Sequence, residues 1–182
     1  GDNFDESARR AAQPLGLTGS QLDALRDLGI YLNYNGYGAE VADLHLPPDA
    51  LFRRLQPYAN PLDFIHLDPA FGQLRDGFDE DMARARAITP EIDGPGHRLH
   101  LLPAAPWARR AGGVLANELA RSAPDQAHAL LTRLPAGGFV VSVRAPLSNR
   151  LGADDLCRRF PGGGGRPAAA GINQLEDSDY DA

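Results

Sequence analysis

The chain has 182 residues, 43% of them hydrophobic and 23% charged, with a formal net charge of −6. That is room for one ordinary domain or two small ones with a real core, and it excludes a disordered tail. All 18 basic residues are Arg and there is one Cys, which excludes lysine-dependent chemistry, a disulfide framework and a cysteine-based zinc site.

In chain order, Asp5–Ala12 reads as a short helix with acids first and Arg9 and Arg10 last, as the helix dipole favours. Thr18-Gly-Ser-Gln21 is a capping-box pattern, and Leu22, Leu25 and Leu28 follow at helical spacing. Gly29 then predicts a helix end, and Tyr31 to Gly38 predicts a turn-rich segment, with Asn35-Gly36 its strongest turn signal. Pro47-Pro48-Asp49 opens a helix through Leu55, and Asn60-Pro61 reads as a further break. Asp68–Ala87 is the clearest helix of the first half, with Phe71, Leu74, Phe78 and Met82 as its apolar stripe. Pro90 to Gly96 is linker-like, and the main domain boundary is placed there.

After it the rhythm becomes strand and helix in alternation. Arg98–Leu102 reads as a strand and Trp107–Arg121 as a helix with a small-residue face at Ala111, Gly112, Ala116 and Ala120. Ala127–Leu134 and Gly138–Arg144 read as two strands around a Pro135-Ala136-Gly137 turn. Gly152–Phe160 reads as a short helix, followed by a glycine loop and a strand at Ala169–Asn173. The class is α/β, with α+β possible. No stretch approaches the roughly 18 apolar residues of a membrane helix.

Charge is unevenly spread. Residues 1–96 hold 8 Arg against 16 Asp and Glu, whereas residues 97–175 hold 10 Arg against 4 acids. A basic second half favours an anionic ligand there. Its most informative segment is Phe160-Pro-Gly-Gly-Gly-Gly-Arg-Pro-Ala-Ala-Ala-Gly171. Consecutive glycines let a ligand reach the main chain, and their amides can converge into an anion-binding nest beside the Arg166 guanidinium. Phosphate binding is preferred to a flexible linker, because the run lies between a capped helix and a compact Ala-rich strand. The spacing does not fit G-x-G-x-x-G. In Val140-Val-Ser-Val-Arg144, alternation puts Ser142 and Arg144 on one face, placing Arg144 to reach an anion or to serve a surface ion pair.

Ser-Val-Arg at a strand end, a helix ending Leu156-Cys-Arg-Arg-Phe160 and the Gly-Gly-Gly-Gly-Arg-Pro run together resemble the DHHA1 domain of DHH-family phosphoesterases over about residues 97–180. That family includes oligoribonucleases, single-strand exonucleases and cyclic-dinucleotide phosphodiesterases. The resemblance implies a DHHA1-like mixed sheet with flanking helices, in which Ser142, Arg144, Gly163, Gly164, Gly165 and Arg166 bind the substrate phosphate. Many members have His after the glycines where this chain has Arg166, which keeps a charge but cannot titrate. The implied organisation is the tail of a truncated DHH catalytic domain at 1–14, a helical and loop connector at 15–96 and the DHHA1 domain at 97–182. Both chain ends read as cuts, so a fragment is expected. The intact protein would hydrolyse a short nucleotide or oligonucleotide with a divalent metal, manganese or magnesium, held largely by its missing DHH domain. Gly1-Asp2-Asn3 resembles the last metal-binding aspartate motif, which makes Asp2 one ligand of an incomplete site. No catalytic residue and no cofactor are assigned to this fragment, which is expected to bind weakly and catalyse nothing. A cytoplasmic location, no membrane partner and a possible homodimer complete the expectation. The alternatives are a tRNA-binding DHHA1 module, as in alanyl-tRNA synthetases, and a non-catalytic regulatory homologue.

Other candidates carry less. Asp43 with His45 and His66 with Asp68 could each share a face of an extended segment, but solvated loop polar groups are the preferred reading. His97 and His100 sit three apart in a strand and point to opposite faces, which makes chelation poor. Cys157 reads as a small buried residue, and Trp107, Phe71 and Phe78 as core. Tyr31, Tyr34 and Tyr37 read as packing in preference to a base-stacking platform.

Overall fold

The computed structural model describes residues 4–180. They divide into two compact units between Glu80 and Asp81, inside a helix, where the sequence places its boundary at residue 96.

The first unit is helical. Helix α1 (Asp5–Ala12) falls where the sequence puts it. Helix α2 (Gly19–Tyr34) starts at the expected capping box: Thr18 Oγ1 accepts from the Gln21 amide, and Gln21 Oε1 accepts from the Thr18 amide. It runs through Gly29 to Tyr34, well past the expected end. The reason is packing. Tyr31 meets Phe71 and Phe78 at centroid distances of 5.7 and 5.4 Å, and Tyr34, only 2% exposed, sits edge-on to Phe78 at 4.8 Å. Burying those rings outweighs the roughly 1 kcal/mol that a helical Gly costs. The turn survives only at Asn35-Gly36, and the Asn35 side chain is used elsewhere: its Nδ2 donates to the Leu46 carbonyl at 2.8 Å and its Oδ1 accepts from the Leu46 amide at 3.0 Å. Helix α3 (Pro48–Leu55) matches expectation. The Asn60-Pro61 break is instead a helix start: Asn60 Oδ1 caps α4 (Pro61–Leu67), which the sequence reading missed. Helix α5 (Pro69–Arg86) follows, and its first part adds Ala70 and Leu74 to a core with Leu28, Leu46, Leu51 and Phe64.

The second unit makes the protein α/β, as expected. Its six-stranded mixed sheet has the order β1-β2-β3-β4-β6-β5. The strands are β1 (Ile92–Gly94), β2 (His97–Leu102), β3 (Ala127–Arg133), β4 (Phe139–Arg144), β5 (Gly163–Arg166) and β6 (Ala169–Leu175). Residues 90–96 are therefore no linker: β1 and β2 form an antiparallel hairpin closed at Gly94↔His97. Only β2 and β3 run parallel, and helix α6 (Pro106–Ser122) makes the crossover that a parallel pair requires. Helix α6 packs on β3 and β4, whereas the short helix α7 (Ala153–Cys157) lies against β5 and β6. The apolar core of the unit joins Phe139, Val141 and Val143 of β4 with Ala153 and Cys157 of α7 and with Ala170 and Ile172 of β6. At the α5 end of the unit, the buried Arg110 guanidinium donates to both Asp81 carboxylate oxygens at 2.7 and 2.9 Å. A final short helix, α8, spans Asp177–Tyr180.

The glycine run differs most from expectation. Gly163, Gly164 and Gly165 are no loop; with Arg166 they are the edge strand β5, paired antiparallel to β6 through Gly164↔Gly171 and Arg166↔Ala169. At Gly163 a Cβ would fall inside the Cys157 carbonyl oxygen, so only Gly lets α7 end this close to the strand. At Gly164 a Cβ would meet nothing within 4 Å. Gly163→Ala should therefore lose about 1–3 kcal/mol, while Gly164→Ala stays within about 0.5 kcal/mol of the parent. Urea titration of the two variants checks the contrast, and equal midpoints would disprove it.

Candidate phosphate-binding face

Strand register decides which side chains meet. In β4, Phe139, Val141 and Val143 point into the α7-side core, so Ser142 and Arg144 point to the opposite face, where α6 lies. Ser142 pairs with Gly171 and Gly171 with Gly164, giving one row across β4, β6 and β5. Arg144 pairs with Ala169 and Ala169 with Arg166, giving the next row. Residues directly opposite on paired strands share a face. Both arginines thus rise from the same face on either side of Ala169, two strand spacings or about 10 Å apart at their Cα atoms. The floor between them is Ala169, Gly171 and Gly164, which expose main chain and a single methyl.

Arg144 is half-buried and held rigidly. Its Nε donates to Asn117 Oδ1 of α6 at 2.9 Å, and its Nη1 donates to Ser142 Oγ at 2.9 Å and to the Val143 carbonyl at 3.1 Å. All three acceptors are neutral. Nη2 has no acceptor among the described residues. Burial first, and the Arg166 charge second, hold the Arg144 pKa below the ordinary arginine value. A guanidinium does not give up its proton in a protein, so Arg144 stays a cation with burial and a second cation both working against its charge. Arg166 is exposed and has no carboxylate partner among the described residues.

Of the residues singled out in the sequence, the structure thus brings Ser142, Arg144, Gly164 and Arg166 onto one face. Gly163 and Gly165 sit at the alternate strand positions. The converging amides expected of a nest are absent: in an extended strand successive N–H groups point in opposite directions, and the Gly163 amide already donates to the Phe160 carbonyl at 3.1 Å. Sequence reasoning missed Asn117, and Ala169 and Gly171 entered it within the glycine motif and the expected Ala169–Asn173 strand, with no role of their own. The signal that could have found the last two is their place opposite Arg144 and Ser142 in a strand whose register the Pro167-Ala168 turn fixes. Asn117 carries no such signal, because its role depends on the α6 crossover.

The remaining candidates are structural. Asp43 Oδ2 accepts from the Ala39 amide at 2.9 Å, and His45 stacks on Tyr34 at 6.1 Å. Asp68 Oδ1 accepts from the Ala70 amide and from Arg54, while His66 is exposed on α4. His97 is exposed and His100 is buried, on opposite faces of β2 as expected. Cys157 is fully buried; burial first and Asp154 second raise its pKa, which keeps the thiol protonated. Among the described residues no group of three or more His, Cys, Asp or Glu side chains could hold a metal ion, so they do not fit the divalent metal that the family resemblance implies. Asp2 lies outside the described residues. No helix among the described residues is long and apolar enough to cross a membrane.

The chain matches no protein-family model and no curated protein. Among solved structures it is similar to a pGpG-specific phosphodiesterase, PggH, from Vibrio cholerae, with a TM-score of 0.45 and 14% identity over 70% of this chain and 44% of that one. It is also similar to an uncharacterized protein from Helicobacter pylori G27, with a TM-score of 0.33 and 18% identity over 73% of this chain and 36% of that one. The chain therefore spans less than half the length of either, and neither score places it in a family.

Two buried histidines beneath α6 give this unit a pH dependence. His100 is 4% exposed and His128 1%, and the Nδ1 atom of each has no hydrogen-bond partner among the described residues. Burial is the first cause lowering the pKa of both from 6.5. A lowered histidine pKa means that the unfolded chain binds more protons below about pH 6.5, so stability is complete above that pH and declines as pH falls beneath it. The urea midpoint should drop between pH 8 and pH 5, and a flat or rising midpoint would contradict this.

Proposed function

We propose that the second unit binds the phosphate of a nucleotide or short oligonucleotide, as the substrate-binding portion of a DHH-type phosphoesterase. One observation carries the reading: a half-buried Arg144 with only neutral acceptors shares a sheet face with Arg166. Two guanidinium groups spaced across a floor of Gly and Ala suit a tetrahedral oxyanion, Arg166 with its two-nitrogen fork and Arg144 with the N–H groups of Nη2. Arg144 Nη2 supplies the inner donors and Arg166 closes from the strand edge. The Ser142 hydroxyl accepts from Arg144 and keeps its own proton to donate to the ligand. Gly164, lacking a side chain and with open space where a Cβ would stand, leaves room for a sugar or base to lie against the main chain. In the whole protein this reading expects manganese or magnesium, held by residues other than those described, and hydrolysis there. This unit's task is to hold and orient the phosphate.

Titration of the full chain with inorganic phosphate, mononucleotides and short oligonucleotides tests it. Arg144→Ala and Arg166→Ala should each weaken nucleotide binding about tenfold or more, the consequence of losing charge-assisted hydrogen bonds worth about 1.5–3 kcal/mol. Added salt should weaken the parent's binding. Equal affinity in the parent and both variants would overturn the proposal.

A further inference from the structure

We infer that Asn117 of α6 is a positioning residue for this site, and that its neutrality keeps the Arg144 charge available to the ligand. The inference rests on the phosphate-binding reading of Arg144 and adds a residue to it from a different element. Asn117 and Glu118 are neighbours on α6, so the helix carries a carboxylate next to the amide that meets Arg144. That carboxylate is turned away and engages Arg86 at 2.9 and 2.8 Å. Arg144 instead receives an amide oxygen at 2.9 Å on its Nε. An Asp at position 117 would fill the same space and present an oxygen to the same donor, and it would pair internally with a half-buried cation.

Five other arginines of this unit have a carboxylate within hydrogen-bond reach: Arg86, Arg98, Arg110, Arg133 and Arg158. The contrast is sharpest with Arg110, on α6 itself, which is buried and donates to both oxygens of Asp81. The fold thus neutralises the buried Arg110 guanidinium with an acid and fixes the half-buried Arg144 guanidinium with an amide. Asn117 holds the Nε side of the fork, and Ser142 with the Val143 carbonyl holds Nη1. The plane of the guanidinium is thereby set with no negative charge spent on it, and Nη2 is left for an anion. Neutral acceptors orient a cation without compensating it.

The test is Asn117→Asp beside Asn117→Leu in the full chain, read by nucleotide titration at several salt concentrations and by the thermal midpoint. Asn117→Asp should weaken mononucleotide binding about tenfold, flatten its salt dependence, and hold or raise the thermal midpoint, because the new carboxylate pairs with Arg144 in place of the ligand. Asn117→Leu should weaken binding severalfold with the parent's salt dependence, because orientation is lost and charge is kept. If both variants bind like the parent while Arg144→Ala does not, the role of Asn117 is refuted and the phosphate site stands. If Arg144→Ala and Arg166→Ala also bind like the parent, the phosphate site itself falls. Should Asn117→Asp fail to fold, Asn117→Leu decides alone, and parental affinity in it refutes the inference.

Discussion

Antiparallel pairing fixes side chains in rows, and two such rows organise the second unit. Because β4, β6 and β5 are neighbours in that order, Ser142, Gly171 and Gly164 form one row and Arg144, Ala169 and Arg166 the next. Slipping β5 by one residue would send Arg166 to the α7 face and bring Gly165 to the other. That register is held by the Pro167-Ala168 turn, whose carbonyls accept from the Ala153 and Ala145 amides at 3.0 Å each. It is held as well by the close approach of Cys157 to Gly163, which tolerates no side chain. The position of one arginine relative to the other is therefore a property of the whole β4–α7–β5–β6 arrangement.

Charge compensation then separates structural cations from those left for something else. A buried guanidinium is expensive unless an acid or several hydrogen bonds meet it. Arg110 shows the first solution, with Asp81 on both of its branches. Arg144 shows the second in part: its hydrogen bonds are good but neutral, and a second cation stands near it. Local rules are broken in this way at sites of function more often than elsewhere. The acid-poor stretch from His97 to Leu175 has the same sense on a larger scale, since 10 arginines there face 4 acids.

Much of this was legible in the sequence. Charge order, a Pro-Pro-Asp opening, helical spacing and the capping box point to α1, α2, α3, α5 and α6, β2, β3, β4 and β6 fall where strands are expected, and alternation in Val140–Arg144 gives the shared face of Ser142 and Arg144. The errors share a cause. Gly29, Asn60-Pro61 and the Pro90–Gly96 stretch were read as punctuation by local propensity, and each lies where longer-range contacts decide: aromatic packing by Tyr31 and Tyr34, a side-chain cap by Asn60, and pairing of β1 with β2. Propensity is a preference of about 1 kcal/mol per residue, which one buried ring outweighs. Asn117 was out of reach for another reason, since its partner lies 27 positions away on β4.

The glycines show why a motif can be noticed for a sound reason and still be misread in detail. Four in succession suggest main chain exposed to a ligand, and three of them are explained without one, Gly162 by its φ of 71°. Gly163 is required by the Cys157 carbonyl, and Gly165, at φ 148° and against Ala170, by the backbone beside it. Gly164 alone lies on the face of Arg144 and Arg166 with open space above its α-carbon. An edge strand rich in glycine is weaker than one of β-branched residues, and close approach by a neighbour accounts for the glycine at position 163 but not at 164. On one face the approaching group is the end of α7. On the other, Gly164 has open space above it, two cations flank it, and no carboxylate among the described residues pairs with either.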